Sequence, residues 1–155
     1  MIKHVNEKVI EEIVKRIVAE QISAKKVGFV KNIDKSGVLS IKTETVKCEK
    51  FDTGKKEDQV YLKDILTLDE SPRLGCGIME MKKSKFDWVL NYDEIDYVID
   101  GTLEIVIEDR RVVGNKGDII MIPKGTPIQF CVPDYARFMY VTYPANWQEM
   151  ESADR

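Results

Sequence analysis

Apolar residues at Val5, Val9, Ile10, Ile13, Val14, Ile17, Val18 and Ile22 recur at intervals of three and four, the spacing of a single helical stripe. The pattern predicts an amphipathic helix from Val5 to Ile22. Asn6 is its candidate N-cap, Glu7, Glu11 and Glu12 suit the positive end of its dipole, and Lys25, Lys26 and Gly28 suit the other end. The stripe is rich in β-branched residues, which are mediocre helix formers, so the helix needs a surface to lie against. That surface is either internal, meaning its own domain or a second subunit, or a foreign partner.

The period changes after the helix. Residues 28 to 59 are polar, with turn signals at Ser36-Gly37 and Thr53-Gly54, an alternating segment from Leu39 to Cys48 that reads as an edge strand, and a loop over Lys50 to Asp58. From Val60 onward short apolar runs follow one another: 60–68, 74–81, 88–90, 94–99, 103–107, 112–113, 119–122, 128–132 and 138–143. Runs at this spacing, with turn residues between them, predict an all-β sandwich or barrel. Asp100-Gly101 and Glu108 to Arg111 read as hairpin turns, Pro144 ends the last strand, and Gln148 to Arg155 reads as a frayed polar tail. The expected organisation is a helical extension over 1–27, a linker with an edge strand over 28–59, the β domain over 60–148 and a tail over 149–155.

Two stretches carry the candidate chemistry. In Gly117 to Gly125, a glycine turn leads into the apolar run Asp118 to Ile122, and Pro123-Lys124-Gly125 closes it because proline removes a ladder donor. Upstream, strand alternation places Tyr92, Glu94 and Asp96 on one face. Two neighbouring carboxylates in a low-dielectric pocket repel as anions, so one of them holds its proton to a higher pH than a free side chain would, which suits acid/base work. Ile128 and Phe130 share one apolar face of a later run, Trp88 and Tyr140 are candidate aromatic surface, and Lys124 stands in a turn where it could meet an anion. Arg73 and Arg137 could play the same role, but both read better as solvated surface charges.

Composition narrows the classes. At 155 residues, 43% hydrophobic and 33% charged, with a formal net charge of −3, the chain suits one compact domain and lacks a basic nucleic-acid footprint. Cys48, Cys76 and Cys131 are an odd number and read as reduced thiols. The absence of an apolar signal core and of any run of about 18 apolar residues predicts a cytoplasmic protein without a membrane span. The chain's single histidine is His4, which reads as solvated. A three-imidazole metal site is therefore excluded.

Gly117, Pro123 and Gly125 resemble the second motif of the cupin β-barrel superfamily, and Glu94, seven positions before Gly101, resembles the ligand glutamate of the first. Ile128 stands where the histidine of the second motif would be, so the resemblance implies that Glu94 points into the barrel and that Ile128 and Phe130 give its pocket an apolar wall. The words Ser71 to Gly75, Trp88 to Tyr97, Gly101 to Ile105 and Tyr140 to Trp147 are similar to the EutQ family of ethanolamine-utilisation proteins, over roughly residues 60 to 148.

The resemblance implies a mainly β, single-domain cupin (a double-stranded β-helix or jelly-roll barrel) with an N-terminal helix. It also implies a role in bacterial ethanolamine catabolism, association with a bacterial microcompartment, and an acetate kinase activity interconverting acetyl phosphate and ADP with acetate and ATP. In that reading Glu94 and Asp96 would organise Mg²⁺ or act as base, Tyr92 would orient the acyl group and Lys124 would meet phosphate. ATP and Mg²⁺ enter only with the kinase; no cupin iron, zinc or manganese site is expected. The alternative is a non-catalytic cupin that binds a small molecule or assists microcompartment assembly, with the N-terminal helix docking on shell or cargo proteins. A homodimer is expected in either case, because exposed sheet edges need covering.

Overall fold

The computed structural model describes residues 7 to 152. His4, Val5 and the candidate cap Asn6 lie outside the described residues. The chain divides into two compact units between Lys47 and Cys48.

The first unit holds α1 (Glu7–Val27) and a small hairpin of β1 (Lys31–Ile33) and β2 (Leu39–Ile41). Glu7 in the first turn and Lys25 and Lys26 in the last complement the helix dipole. Its stripe from Val9 to Ile22 is 43–63% exposed. The hairpin turn is held by Asp34, whose carboxylate accepts from the Ser36 amide at 2.9 Å, and Lys42 pairs with Glu20 of α1 at 2.9 Å. The alternating segment Leu39 to Cys48 is not one strand. It ends at Ile41 and passes into a 3-10 turn over Thr43–Thr45, because the Thr45 hydroxyl accepts from the Val30 amide at 2.9 Å and donates to the Lys42 carbonyl at 2.7 Å. Local side-chain bonds have replaced the ladder.

The second unit is a jelly-roll barrel of β3 (Glu49–Lys50), β4 (Gln59–Asp64), β5 (Gly75–Val89), β6 (Asp93–Ile107), β7 (Arg110–Asn115), β8 (Ile119–Ile122) and β9 (Pro127–Tyr143), followed by α2 (Trp147–Ser152). The sheet order is β3-β4-β5-β9-β6-β7, with β8 also on β6, and every pairing is antiparallel. β9 lies at the centre. Along its length it bonds β5 on one side, from Thr142 to Pro127, and β6 on the other, from Tyr143 to Gln129. Inward positions alternate along each strand, and Val98, Leu103, Ile105, Val132 and Phe138 are buried at 0–2% exposure in one hydrophobic cluster.

Three expectations change. The runs at 88–90 and 94–99 are the ends of longer strands, β5 and β6, and the runs at 128–132 and 138–143 form the single strand β9. Asp100-Gly101 is not a hairpin turn; it lies inside β6 at a register shift against β9. Gly101 is needed there because its backbone has φ +78° and a Cβ would stand 2.0 Å from the Tyr135 carbonyl oxygen. The C-terminal tail begins as a helix, with Asn146 bonding Glu149 at 3.1 Å across its first turn.

Gly101→Ala should therefore destabilise the barrel by about 2 kcal/mol or more, since it meets both a left-handed backbone and a neighbouring strand. Urea denaturation followed by far-UV circular dichroism checks this through the midpoint, with the slope unchanged.

Candidate functional site

One small cavity opens on the inner face of the barrel, lined by Phe51, Leu62, Met79, Phe86, Trp88, Tyr92, Glu94, Phe130, Tyr140 and Trp147. Its volume is about 20 Å³, room for a water-sized group. The rings form a continuous wall. Phe51 and Phe86 stand edge-on to Trp88 at 5.7 and 5.9 Å, Phe86 stacks on Phe130 at 5.2 Å, and Tyr92 and Tyr140 flank Trp147 at 5.6 and 6.2 Å. The Trp88 indole donates to the Tyr92 hydroxyl at 3.2 Å.

Alternation along β6 turns Glu94 and Asp96 inward while Asp93, Ile95 and Tyr97 face out. Tyr92 sits just before the strand and is also buried. Glu94 reaches the cavity; Asp96 lies one pair deeper, fully buried, and does not line it. Neither Asp96 oxygen has a hydrogen-bond partner of fixed polarity. Asp96 lies against the Glu94 carboxyl, and two ionised carboxylates cannot bond each other. The contact becomes a hydrogen bond only when the pair holds a proton. Burial pushes the Asp96 carboxyl up to about 8, against a smaller lowering by the bond to Glu94. Near neutral pH Asp96 thus keeps its proton. The Thr142 hydroxyl, on β9 opposite Glu94, is likewise buried without a partner.

Tyr140 forms the other side of the site. Its hydroxyl donates to the Asp64 carboxylate at 2.6 Å, and the second Asp64 oxygen accepts from Gln148 of α2 at 2.9 Å. The ring lies so close over Gly77 of β5 that a Cβ there would come within 2.1 Å of it. Only glycine leaves that path open. Burial, and then the Asp64 charge, raise the Tyr140 hydroxyl well above the usual phenol range, so Tyr140 acts as a fixed donor.

The structure brings Tyr92, Glu94, Trp88, Phe130 and Tyr140 together around the cavity. Ile128 is buried but packs one step along β9, paired with Trp88, outside the lining. Lys124 is exposed in the turn after β8, where its backbone amide donates to Asp93 at 2.8 Å, and it does not reach the cavity. Asp93 fastens that turn to the outward face of β6, which carries Lys124 away from the site. Arg73 is exposed, and Arg137 pairs with Glu80. Phe51, Trp147 and the Asp64–Gln148 link were not legible as site residues: Phe51 stands in a polar stretch and Trp147 beyond the last strand, and both arrive through contacts distant in sequence.

Among the described residues no group of three or more histidine, cysteine, aspartate or glutamate side chains comes together to hold a metal ion. With Asp96 protonated and out of the cavity, Glu94 is the one carboxylate offered there. That donor set does not fit a resident Mg²⁺.

The sign of the Asp96 shift fixes a pH dependence. In the unfolded chain its proton leaves near 3.8, and in the fold near 8. Between those values the folded state binds the extra proton, so stability falls as pH rises through the window, by up to about 1.4 kcal/mol per pH unit. Asp96→Asn should flatten this dependence and leave the variant more stable than the natural protein near pH 8. Chemical denaturation at several pH values reads the slope directly.

Residues 3–149 match the family model described as "Ethanolamine utilisation protein EutQ". A Clostridioides difficile protein named "Acetate kinase EutQ" is 58% identical over 151 residues, covering 94% of this chain and 96% of its own. A Salmonella typhimurium protein of the same name is 35% identical over 140 residues; the match takes in 90% of this chain and 61% of that longer relative. Among solved structures, the Clostridium difficile EutQ protein superposes with a TM-score of 0.75 at 64% identity, over 77% of this chain and 89% of that one. The Schizosaccharomyces pombe Cnp3 cupin domain superposes with a TM-score of 0.55 at 13% identity, over 74% of this chain and 80% of that one, a likeness of fold. Among the described residues no helix is long and apolar enough to cross a membrane.

Proposed function

Because the chain belongs to the EutQ family of ethanolamine-utilisation proteins, with a cupin barrel as its fold, we propose that it is an acetate kinase, interconverting acetyl phosphate and ADP with acetate and ATP. The observation that carries this reading is the 58% identity, over nearly the full length of both chains, to a relative bearing that name. The barrel cavity sets the terms. A space of about 20 Å³ takes at most the methyl end of the acetyl group and excludes a nucleotide, so MgATP approaches from outside with its metal as part of the substrate. The aromatic wall excludes water from the acyl phosphate, which would otherwise hydrolyse. Glu94 is the acid/base group that the wall offers to the substrate, and Tyr92 lines the same cavity to orient the acyl end.

Lys124, the cation that the sequence offered for the phosphate, is not at the cavity, and no lysine or arginine lines it. That observation favours a second reading, a cupin that binds a small molecule without turning it over. Acetyl phosphate formation from acetate and MgATP, measured on the natural protein and on a Glu94→Gln variant purified identically, separates the two. Loss of at least about a hundredfold in the variant supports an enzyme with its site in the barrel. Equal rates point to a contaminating kinase or another site, and no activity in either points to the binding role.

We also propose that the barrel pairs with a second copy through the outer face of β8, β6 and β9. Met121 and Val141 flank Ile95 there, and Ile119 and Met139 flank Tyr97. Ile95, Tyr97, Ile119, Met121 and Tyr143 are 41–67% exposed, a contiguous apolar patch of the kind that marks an interface. Light scattering at micromolar concentration should give a dimer for the natural protein and a monomer for the Tyr97→Asp, Ile119→Asp double variant. A natural protein that scatters as a monomer would refute the interface.

A further inference from the structure

Two lysine-bearing words that the cavity does not use, Gly54-Lys55-Lys56-Glu57-Asp58 and Lys82-Lys83-Ser84-Lys85, meet at one place on the barrel. There an open groove of about 460 Å³ is walled by Lys55, Glu57 and Asp58 of the loop between β3 and β4 and by Lys83, Ser84 and Lys85 of β5, with β9 beside them. The Ser84 hydroxyl joins the two walls. It accepts from the Gln59 amide at 2.7 Å and donates to the Lys82 carbonyl at 2.9 Å.

The strand wall departs from alternation. Lys82 pairs with Tyr135 and Ser84 with Val132, so Lys83 faces the two-residue step Pro133-Asp134 of β9, where proline has no amide to donate. Lys83 takes up the shift in the left-handed region, at φ +45°. Met81 and Ser84 are consequently buried three positions apart, and Lys82 and Lys83 between them are both exposed, as is Lys85. Glycine would hold this backbone without strain; a lysine there adds a second cation to one wall of the groove.

The charges of the lining do not cancel internally. No carboxylate of the described residues forms an ion pair with Lys55, Lys83 or Lys85. Asp58 is 7% exposed and its carboxylate accepts from the Thr53 hydroxyl at 2.7 Å, while Glu104, near Cys131, is paired with Arg111 at 2.7 Å. Glu57 is exposed at the groove and pairs with none of the three.

A single small anion such as chloride or acetate meets one ammonium group and leaves two unanswered. A nucleic-acid duplex needs a long basic surface, which a chain of net charge −3 with Glu57 and Asp134 flanking the lysines does not offer. A short polyphosphate carries several charges within the length of the groove, and lysines on facing walls meet its oxygens as point charges. We propose that this groove binds a short polyphosphate chain, held by Lys55 on one wall and by Lys83 and Lys85 on the other. The groove shares no lining residue with the aromatic cavity, so the proposal goes beyond the kinase reading, is one of binding and involves no transfer.

Titration calorimetry of the full-length protein at fixed ionic strength, without acetate or Mg²⁺, tests it. Sodium tripolyphosphate and ATP should both bind saturably. Adenosine should give no binding, and citrate, a carboxylate polyanion, should bind at least about tenfold more weakly. Lys83→Gly suits the left-handed backbone and should stay folded by far-UV circular dichroism while weakening tripolyphosphate binding about tenfold; Lys55→Ala should weaken it similarly. Lys56→Ala, an exposed neighbour outside the lining, should leave it unchanged. ATP binding more tightly than tripolyphosphate assigns the groove to a nucleotide, and the reverse order assigns it to the inorganic chain; either order supports the site.

The proposal is overturned if tripolyphosphate does not bind the natural protein, if citrate or adenosine binds as tightly, if the folded Lys83→Gly and Lys55→Ala variants bind like the natural protein, or if Lys56→Ala weakens binding as much as they do. Acetyl phosphate formation is measured apart, with acetate and Mg²⁺ present. Tripolyphosphate binding without turnover refutes only the kinase reading, and turnover without tripolyphosphate binding refutes only the groove.

Discussion

The double pairing of β9 is the constraint on which the barrel and its cavity depend. One strand of 17 residues bonds β5 along one edge and β6 along the other. This register sets Thr142 opposite Glu94 and Tyr140 opposite Asp96 on one side, and Phe130 opposite Phe86 on the other. Because side chains alternate along a strand, a slip of β9 by one residue would turn Phe130, Tyr140 and Thr142 outward. The bulge at Gly101 lets β6 bend while staying bonded to β9, and it is tolerated because no side chain stands between the two backbones.

Inside that frame the barrel buries two carboxylates within reach of each other, which is unfavourable for a domain of this size. The cost is limited by keeping a proton on Asp96, so that the pair carries about one charge and not two. Glu94, the other member of the pair, faces a cavity walled by rings, with no lysine or arginine in its lining. Tyr140, tied to Asp64, and Asp64, tied to Gln148, hold the opposite wall in place.

Much of this was legible in the chain because it follows from period. The three-and-four stripe gave α1, and the period-2 alternation set Glu94 and Asp96 on one face, where β6 carries them. Glycine was ambiguous: the same residue type that closes the turn at Gly125 makes a bulge at Gly101, and a local signal does not distinguish them. Lys124 was drawn toward the site by its place in a motif. Only the bond from its backbone to Asp93 shows the turn fastened to the outside of β6. Phe51 and Trp147 carry no local signal at all, since what recruits them is the three-dimensional closure of the wall.

That wall is assembled from Phe51 before β4 through to Trp147 at the start of α2. The lining therefore draws on β4, β5, β6, β9 and α2 at once, and no fragment lacking either end retains the whole of it. Occupancy is then coupled to the integrity of the entire barrel. By mass action, a bound molecule would raise the free energy of global unfolding and slow the fraying of the short terminal helix together, as one cooperative event.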